Sequence, residues 1–226
     1  TCHYVLDDIL WQAKWIYSFL STRILKLLEN YEPKHDDTVE KGLTIVLSSP
    51  DIDVKAIARV AKDKVGSPHS DSRQALWLAA WMQVDAGNSI NKLETILGDI
   101  EAPERATAIA MMFSVALMGG RHEHNAFLYN DYYQAEILLR LIRLLYSHTS
   151  REEDINQIGG VTCSQTLIDN VQDARGRLFG SLINLPGKEA YIALLNLSEN
   201  HPNHRMRKRC LLAAKNRAEQ DAEFKP

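Results

Sequence analysis

The sequence predicts an all-α protein built from stacked helical hairpins, and three observations lead to that prediction. Apolar residues recur with the 3.6-residue period of amphipathic helices along most of the 226 residues. No segment shows the sustained polar–apolar alternation of a half-buried strand. Turn and capping residues separate the periodic runs, and two of the hairpins so defined resemble each other.

The first predicted helix runs from about Tyr4 to Tyr31 and is apolar nearly all round. Charged residues interrupt it, Asp7 and Lys14 among them, so it cannot cross a bilayer. A helix without a polar side needs cover on several sides. We therefore expect residues 1–31 to form a helix that docks against an adjacent domain or caps the array.

Residues 36–223 are predicted to form helical hairpins. Asp51 or Asp53 is expected to cap one helix, Gly87 to close another, and Ser89 to start the next. Pro103 stands at a first-turn position that favours proline. The expected helices are 37–47, 54–65, 71–85, 89–98, 103–118, 130–146, 165–184, 188–199 and 203–223.

Two hairpins show the same order of features. Asp71-Ser72-Arg73 followed by Leu76-Trp77 resembles Asp173-Ala174-Arg175 followed by Leu178-Phe179. In each, a Gly-containing turn, a short Leu-rich helix and a proline come next. Because one hairpin cannot bury its apolar face alone, neighbouring hairpins must stack. The pattern predicts a HEAT-like or TPR-like α-solenoid forming one domain over residues 1–226, with an irregular helical bundle as the alternative. No TPR-specific signature is present. The chain starts at Thr1 and ends at Pro226, and we expect it to be a segment of a longer polypeptide.

Composition excludes several classes of protein. The formal charge is −3 and the pI is about 6.2, which argues against a nucleic-acid coat or a polybasic membrane binder. The three cysteines, Cys2, Cys163 and Cys210, form no CxxC pair, so we expect thiols in a reducing, cytoplasmic setting.

A long connection rich in aromatic residues is the first candidate contact site. Long loops bearing rigid rings often bind a partner, although packing of the rings onto their own helix pair is the more frequent outcome. A zinc site at His122-Glu123-His124 in this loop would need a third or fourth ligand, such as Asp131, and no HExxH or paired-cysteine motif accompanies it. A solvated polar loop is therefore favoured and no metal is expected. The candidate residues are Arg121, His122, His124, Phe127, Tyr129, Tyr132 and Tyr133.

The last helix supplies a second candidate, the basic cluster Arg205, Lys208 and Arg209. At helical spacing these three side chains share a face, and Cys210, Leu211 and Ala214 are expected to share another. Acidic residues such as Glu219 dilute the charge, so a solvated outer face is favoured over a phosphate-binding stripe.

No catalytic constellation is found. Pro186-Gly187-Lys188 lacks the following Ser or Thr and the earlier Gly of a Walker motif, and no GxSxG elbow occurs. Trp77 and Trp81, four residues apart, have the spacing of core residues rather than of a stacking platform. We expect neither enzymatic activity nor a cofactor.

The last fifty residues carry a resemblance to a known family. The runs Asp173-Ala174-Arg175, 185–191 (LPGKEAY) and 217–223 (RAEQDAE) are similar to the helical-repeat region of large bacterial STAND-type (NACHT-like) NTPases. The resemblance covers about a quarter of the chain and no catalytic residue. It implies a sensor or scaffold segment whose NTPase module lies elsewhere in the polypeptide.

The leading hypothesis is therefore a non-catalytic helical-repeat module that contacts protein partners or neighbouring domains, with neither nucleic acid nor membrane as its target. Two alternatives stay open. One is a compact helical-repeat DNA glycosylase-like enzyme, which the tryptophans favour and the acidic pI opposes. The other is a stand-alone adaptor that binds a peptide in a groove, with the aromatic loop from Phe127 to Tyr133 as its contact.

Overall fold

The computed structural model describes residues 14–31, 33–49, 53–65, 70–101, 103–117, 135–149, 157–158, 161–162 and 165–220. These residues form an all-α architecture with one minimal β pair. The ten helices described are α1 (Lys14–Asn30), α2 (Asp36–Leu47), α3 (Val54–Val65), α4 (Asp71–Val84), α5 (Ala86–Asp99), α6 (Pro103–Leu117), α7 (Ala135–Thr149), α8 (Gln165–Asn184), α9 (Lys188–Asn200) and α10 (His204–Gln220).

The all-α prediction is confirmed, with one local difference. Strands β1 (Gln157–Ile158) and β2 (Val161–Thr162) pair antiparallel between α7 and α8, where no regular element is predicted. The sequence between the strands is Gly159-Gly160, a pair typical of two-residue hairpin connections. Strands this short contain no alternation for a periodicity argument to detect.

Helix packing follows the order of the chain. In the described part of the protein, the substantial contacts between helices join only neighbours or next neighbours in sequence. Helices α2, α4, α6 and α8 pack one beside the next, as do α5, α7 and α9, and α1 lies beside α3. This arrangement of stacked hairpins is compatible with a solenoid, in which each unit contacts only its neighbours, and also with a bundle.

Large aromatic side chains mark the core of the layer that contains α4, α6 and α8. Trp77, Phe113 and Phe179 lie on these three helices and are at most 1% exposed. Trp77 and Phe179 are the residues that correspond in the two similar hairpins. The sequence similarity therefore reflects equivalent core positions on two helices of the same layer. Trp81 is also buried, so the expectation that both tryptophans belong to the core is confirmed.

Two helix-capping predictions are wrong and one is confirmed. Gly87 and Ser89 lie inside α5 rather than at helix ends, because α4 ends just before Asp85 and α5 begins just after it. The Asp85 side chain caps α5 by accepting the Asn88 N–H at 3.3 Å. Ser89 is fully buried, and its hydroxyl donates to the Leu78 carbonyl (2.8 Å). Asp53 caps α3 by accepting the Ala56 N–H at 2.9 Å.

Carboxylate–arginine pairs join each of four helices to the next-but-one helix. In all four pairs the earlier helix supplies the carboxylate and the later helix supplies the guanidinium. The pairs are Glu29–Arg59 (3.2 Å), Asp36–Arg73 (2.9 Å), Asp71–Arg105 (2.9 Å) and Glu94–Arg140 (2.7 Å).

Two of these pairs form a repeated joint. Asp36 and Asp71 are the first residues of α2 and α4, and each accepts from an arginine at the third position of the helix that packs beside it, Arg73 or Arg105. A carboxylate in the first turn also interacts favourably with the positive end of its own helix dipole. The joint therefore aligns the starts of α2, α4 and α6.

The last hairpin is joined differently. Arg217 of α10 donates to the carbonyls of Ile183 (2.8 Å) and Leu185 at the end of α8. Arg143 of α7 donates to the side chain of Asn196 on α9. Neither contact uses a carboxylate, so the charge pattern of the earlier joints does not continue to the end of the array.

Candidate protein-contact surface

The predicted aromatic loop lies outside the residues that the structure describes. Its candidate residues are Arg121, His122, His124, Phe127, Tyr129, Tyr132 and Tyr133. Within the described ranges, no group of three or more His, Cys, Asp or Glu side chains is arranged to hold a metal ion.

The predicted basic cluster on α10 is exposed. Arg205, Lys208 and Arg209 all lie on the surface, while Met206, Cys210 and Ala214 are buried on the opposite side of the helix. Burial of these small and flexible side chains fixes which side of α10 faces α9.

Leu211 does not share the buried side that its sequence position indicated. It is 42% exposed, and Leu212 beside it is 61% exposed. A stripe with a period of 3.6 residues runs from Met206 to Cys210 and Ala214, and Leu211 is rotated about 100° away from Cys210. The exposed side of α10 thus combines basic and apolar groups. We define the α10 face as Arg205, Lys208, Leu211, Leu212 and Lys215.

Arg209 is at the border of this face. Its guanidinium lies 4.8 Å from the centroid of the Phe179 ring on α8. A cation over an aromatic face is held by the ring quadrupole and packs its stem on the ring. Arg209 therefore helps to join α10 to α8, and we leave it out of the α10 face.

A second exposed apolar surface lies at the other end of the array. Phe19 and Leu27 of α1, and Tyr31 directly after it, are between 56% and 63% exposed, and Arg23 lies 4.3 Å from the centroid of the Phe19 ring. Together with Lys26, these residues form the α1 face. Clusters of large exposed apolar side chains are unusual on surfaces that contact only water.

The distribution of exposed apolar groups separates the ends of the array from its middle. The exposed large hydrophobic residues in the described part of the chain lie on α1, α3, α9 and α10, and helices α4 to α8 contribute none to this set. In stacked arrays, a terminal unit either carries a polar outer face or packs against something further. The two end faces are thus the strongest candidate contact surfaces.

A cationic cluster lies where α7, α8 and the start of α10 meet. The Arg175 guanidinium stands 3.9 Å from the centroid of the Tyr146 ring, and the His201 imidazole meets the same ring edge-on at 4.6 Å. Arg207 donates to the His201 carbonyl at 2.7 Å. His201 is 1% exposed, and its Nδ1 accepts the Asn203 N–H at 3.1 Å. This bond requires Nδ1 to be unprotonated.

The environment of His201 makes stability depend on pH. Burial, followed by the nearby charges of Arg175, Arg207 and Arg143, lowers the pKa of His201 below its usual 6.5. The neutral imidazole is then favoured in the folded protein, so its contribution is present above pH 6.5 and is lost as the pH falls through the folded-state pKa. We expect the free energy of unfolding to decline below pH 6.5, by at most about 1.4 kcal/mol per pH unit from this group.

Urea unfolding curves recorded between pH 7.5 and pH 5 measure this decline. His148, whose pKa burial also lowers, contributes with the same sign. His201→Asn keeps an acceptor for the Asn203 N–H and should flatten the pH dependence, whereas His148→Gln should leave the His201 part in place. An unchanged slope in His201→Asn would contradict the assignment.

Cys210 is predicted to resist thiol reagents while the protein is folded. It is fully buried, and burial raises the pKa of its thiol to about 11. Because the thiolate is the reactive species, modification should be at least about 100-fold slower in the folded protein than in denaturant. Maleimide labelling of a Cys2→Ser/Cys163→Ser variant, followed by intact mass, isolates this thiol. Equal rates with and without denaturant would show that α10 does not stay packed.

The exposed leucines of the α10 face were not predicted from the sequence. The sequence analysis identified the basic residues of α10 but not Leu211 and Leu212 as exposed residues among them. The available signal was the pair Leu211-Leu212, since two consecutive leucines in a helix cannot both point to one buried stripe.

Comparison with protein-family models, with curated proteins and with solved structures gives no match for this chain. Across its described residues, each helix is too short or too polar to cross a bilayer.

Proposed function

We propose that this chain is a non-catalytic helical-repeat scaffold or sensor module that contacts protein partners or neighbouring domains through the two ends of its array. The observation that carries the proposal is the position of the exposed large apolar side chains, which in the described residues lie towards the two ends of the array and cluster on the α1 and α10 faces, while helices α4 to α8 contribute none. Buried apolar area drives most protein association, and an apolar centre ringed by polar groups is the usual anatomy of a contact patch.

The close packing of the middle helices supports a proposal that places the contact surfaces at the ends. The three largest fully buried side chains of the described residues, Trp77, Phe113 and Phe179, lie on α4, α6 and α8, and α4 packs against α2, α3, α5 and α6. A rigid middle holds the end faces at a fixed separation, which is what a scaffold requires. The buried position of Trp77 and Trp81 also removes two of the tryptophans that favoured a base-stacking enzyme.

Lysine-directed cross-linking of the native assembly from source cells tests the proposal. Lys26 of the α1 face, with Lys208 and Lys215 of the α10 face, should form cross-links to other polypeptides or domains. Lys92, on α5 in the middle of the array, serves as the internal reference and should cross-link mainly within the chain. Intermolecular cross-links concentrated at Lys92 and missing from both ends would contradict the proposal, as would saturable turnover of a substrate by this chain.

The resemblance of residues 173–223 to STAND-type NTPases makes a sensor segment of such a protein the specific form of this proposal. The mass of the native gene product tests that form. A product far above 25.6 kDa is expected, and one of about 25.6 kDa would exclude it.

A further inference from the structure

We propose that the α10 face binds an acidic amphipathic helix of a separate protein partner. This inference rests on the proposed function, because it names the partner chemistry of one of the two end faces. Charge, position in the array and exposed apolar area each contribute to it.

The charge of α10 contrasts with that of the whole chain. Its sequence, HRMRKRCLLAAKNRAEQ, contains six Lys or Arg residues and one Glu, whereas the chain has a net charge of −3. Arg205, Lys208 and Lys215 are exposed on one side and span about 15 Å of helix. A single charged residue on a partner is therefore insufficient, and a second helix lying along α10 matches the stripe.

Leu212 occupies the centre of that stripe. It follows Lys208 by four residues and precedes Lys215 by three, so all three side chains are neighbours on the helix surface. Exposed leucine between cations fits a partner that brings both carboxylates and an apolar side chain. Acidic amphipathic helices present these two kinds of group on one surface.

The charges of the α10 face disfavour a further helix that brings an arginine to its joint, as the later helix does in the four carboxylate–arginine joints. At the four carboxylate–arginine joints, the earlier helix offers the acid and the later helix brings the arginine. A helix packing on the open side of α10 would meet Lys208 and Lys215 instead of a carboxylate. An arginine-bearing helix would be repelled there, and an acidic helix would be attracted.

A second copy of the chain is also a poor match. Its α1 face carries Arg23 and Lys26, and Glu29 on that helix is already paired with Arg59. Packing α1 of one copy on α10 of another, or two α10 faces on each other, would bring like charges together.

Phosphate-rich partners do not account for the leucines. A nucleic-acid backbone or a lipid headgroup layer neutralises Lys and Arg, but the first offers no apolar group to cover Leu211 and Leu212. Insertion of a helix into a membrane surface needs a broad apolar side. Met206, Cys210 and Ala214 are buried in the core, so Leu211 and Leu212 are the apolar residues left on the open side of α10, which is too few for insertion.

Fluorescence anisotropy with a designed probe tests the inference. The probe is a labelled helical peptide of about 20 residues with a leucine stripe flanked by glutamates, and its matched control has glutamine in place of every glutamate. Against the intact chain, the double variant Lys208→Glu/Lys215→Glu should weaken probe binding by at least about tenfold, and Leu212→Ser by about fivefold. The control variant Lys55→Glu/Lys62→Glu changes the same charge at the same seven-residue spacing on α3 and should bind as the unmodified chain does.

The substituted side chains are exposed, so circular dichroism should confirm that every variant is folded. Three results would overturn the inference: equal binding of the glutamine peptide, binding of single-stranded DNA or phosphatidylserine vesicles that Leu212→Ser leaves unchanged, or self-association through this face by light scattering. Failure of the probe while Lys208 and Lys215 still cross-link to other proteins would overturn the acidic partner alone. Failure of both would overturn the proposed function as well.

Discussion

Replacing Trp77 by alanine should lower the free energy of unfolding by about 3–5 kcal/mol. Trp77 is 1% exposed and lies on α4, the helix that contacts α2, α3, α5 and α6. Removing its ring leaves a cavity among these helices that rigid neighbours fill only in part. Urea unfolding followed by circular dichroism gives the value directly.

A matched variant separates volume from polarity at this site. The Trp77 indole N–H is buried and finds no acceptor among the described residues. Trp77→Phe removes this unpaired donor and less volume, so its cost should be clearly below that of alanine. A loss of less than about 1 kcal/mol for Trp77→Ala would show that α4 is not at the centre of the array.

Replacing Arg73 by methionine should cost about 2–3 kcal/mol, the second largest effect expected. The Arg73 side chain is only 14% exposed and bonds both to Asp36 (2.9 Å) and to the Pro33 carbonyl (2.8 Å). Methionine preserves much of the apolar stem but leaves the Asp36 carboxylate and the Pro33 carbonyl without these bonds. Loss of partially desolvated partners costs more than loss of exposed ones.

Arg105 provides the matched control for Arg73. It occupies the same helix position in the next joint and pairs with Asp71 at 2.9 Å, yet its side chain is 53% exposed. Exposed ion pairs contribute little because water and salt screen them. Arg105→Met should therefore change the free energy of unfolding very little. A double-mutant cycle that combines Arg73→Met with Asp36→Asn should assign the larger effect of Arg73→Met to the Asp36–Arg73 pair. Equal losses at the two positions would contradict the role of burial in these joints.

The helix boundaries were largely predictable because the signals that set them are local. Pro103 and Asp53 each act on the backbone within one turn of the helix start at which they stand. The predictions at Gly87 and Ser89 were wrong because a nearby residue caps the helix instead. Asp85 caps α5 earlier in the chain, and the Ser89 hydroxyl donates to a buried carbonyl on α4.

The joints and the end faces were not predictable in this way. Asp36 and Arg73 are 37 residues apart in sequence, and periodicity within one helix does not indicate which distant helix will pack beside it. Leu211 was expected to share a face with Cys210 and Ala214, but those two residues are buried and Leu211 is exposed, because its side is left open by the helices that pack on α10. Exposure is a property of the assembled array, so a face left open becomes visible only when its neighbours are placed.

The central claim is that the helices form an array of neighbouring joints that is closed in the middle and open at α1 and α10. Hydrogen exchange of the intact chain, read by mass spectrometry, tests it most directly. We expect slowest exchange in α4 and α6, which are each packed by four helices, and progressively faster exchange towards α1 and α10. Uniform protection, with α1 and α10 exchanging as slowly as α4, would instead indicate a single closed bundle and would remove the basis for contact surfaces at the ends.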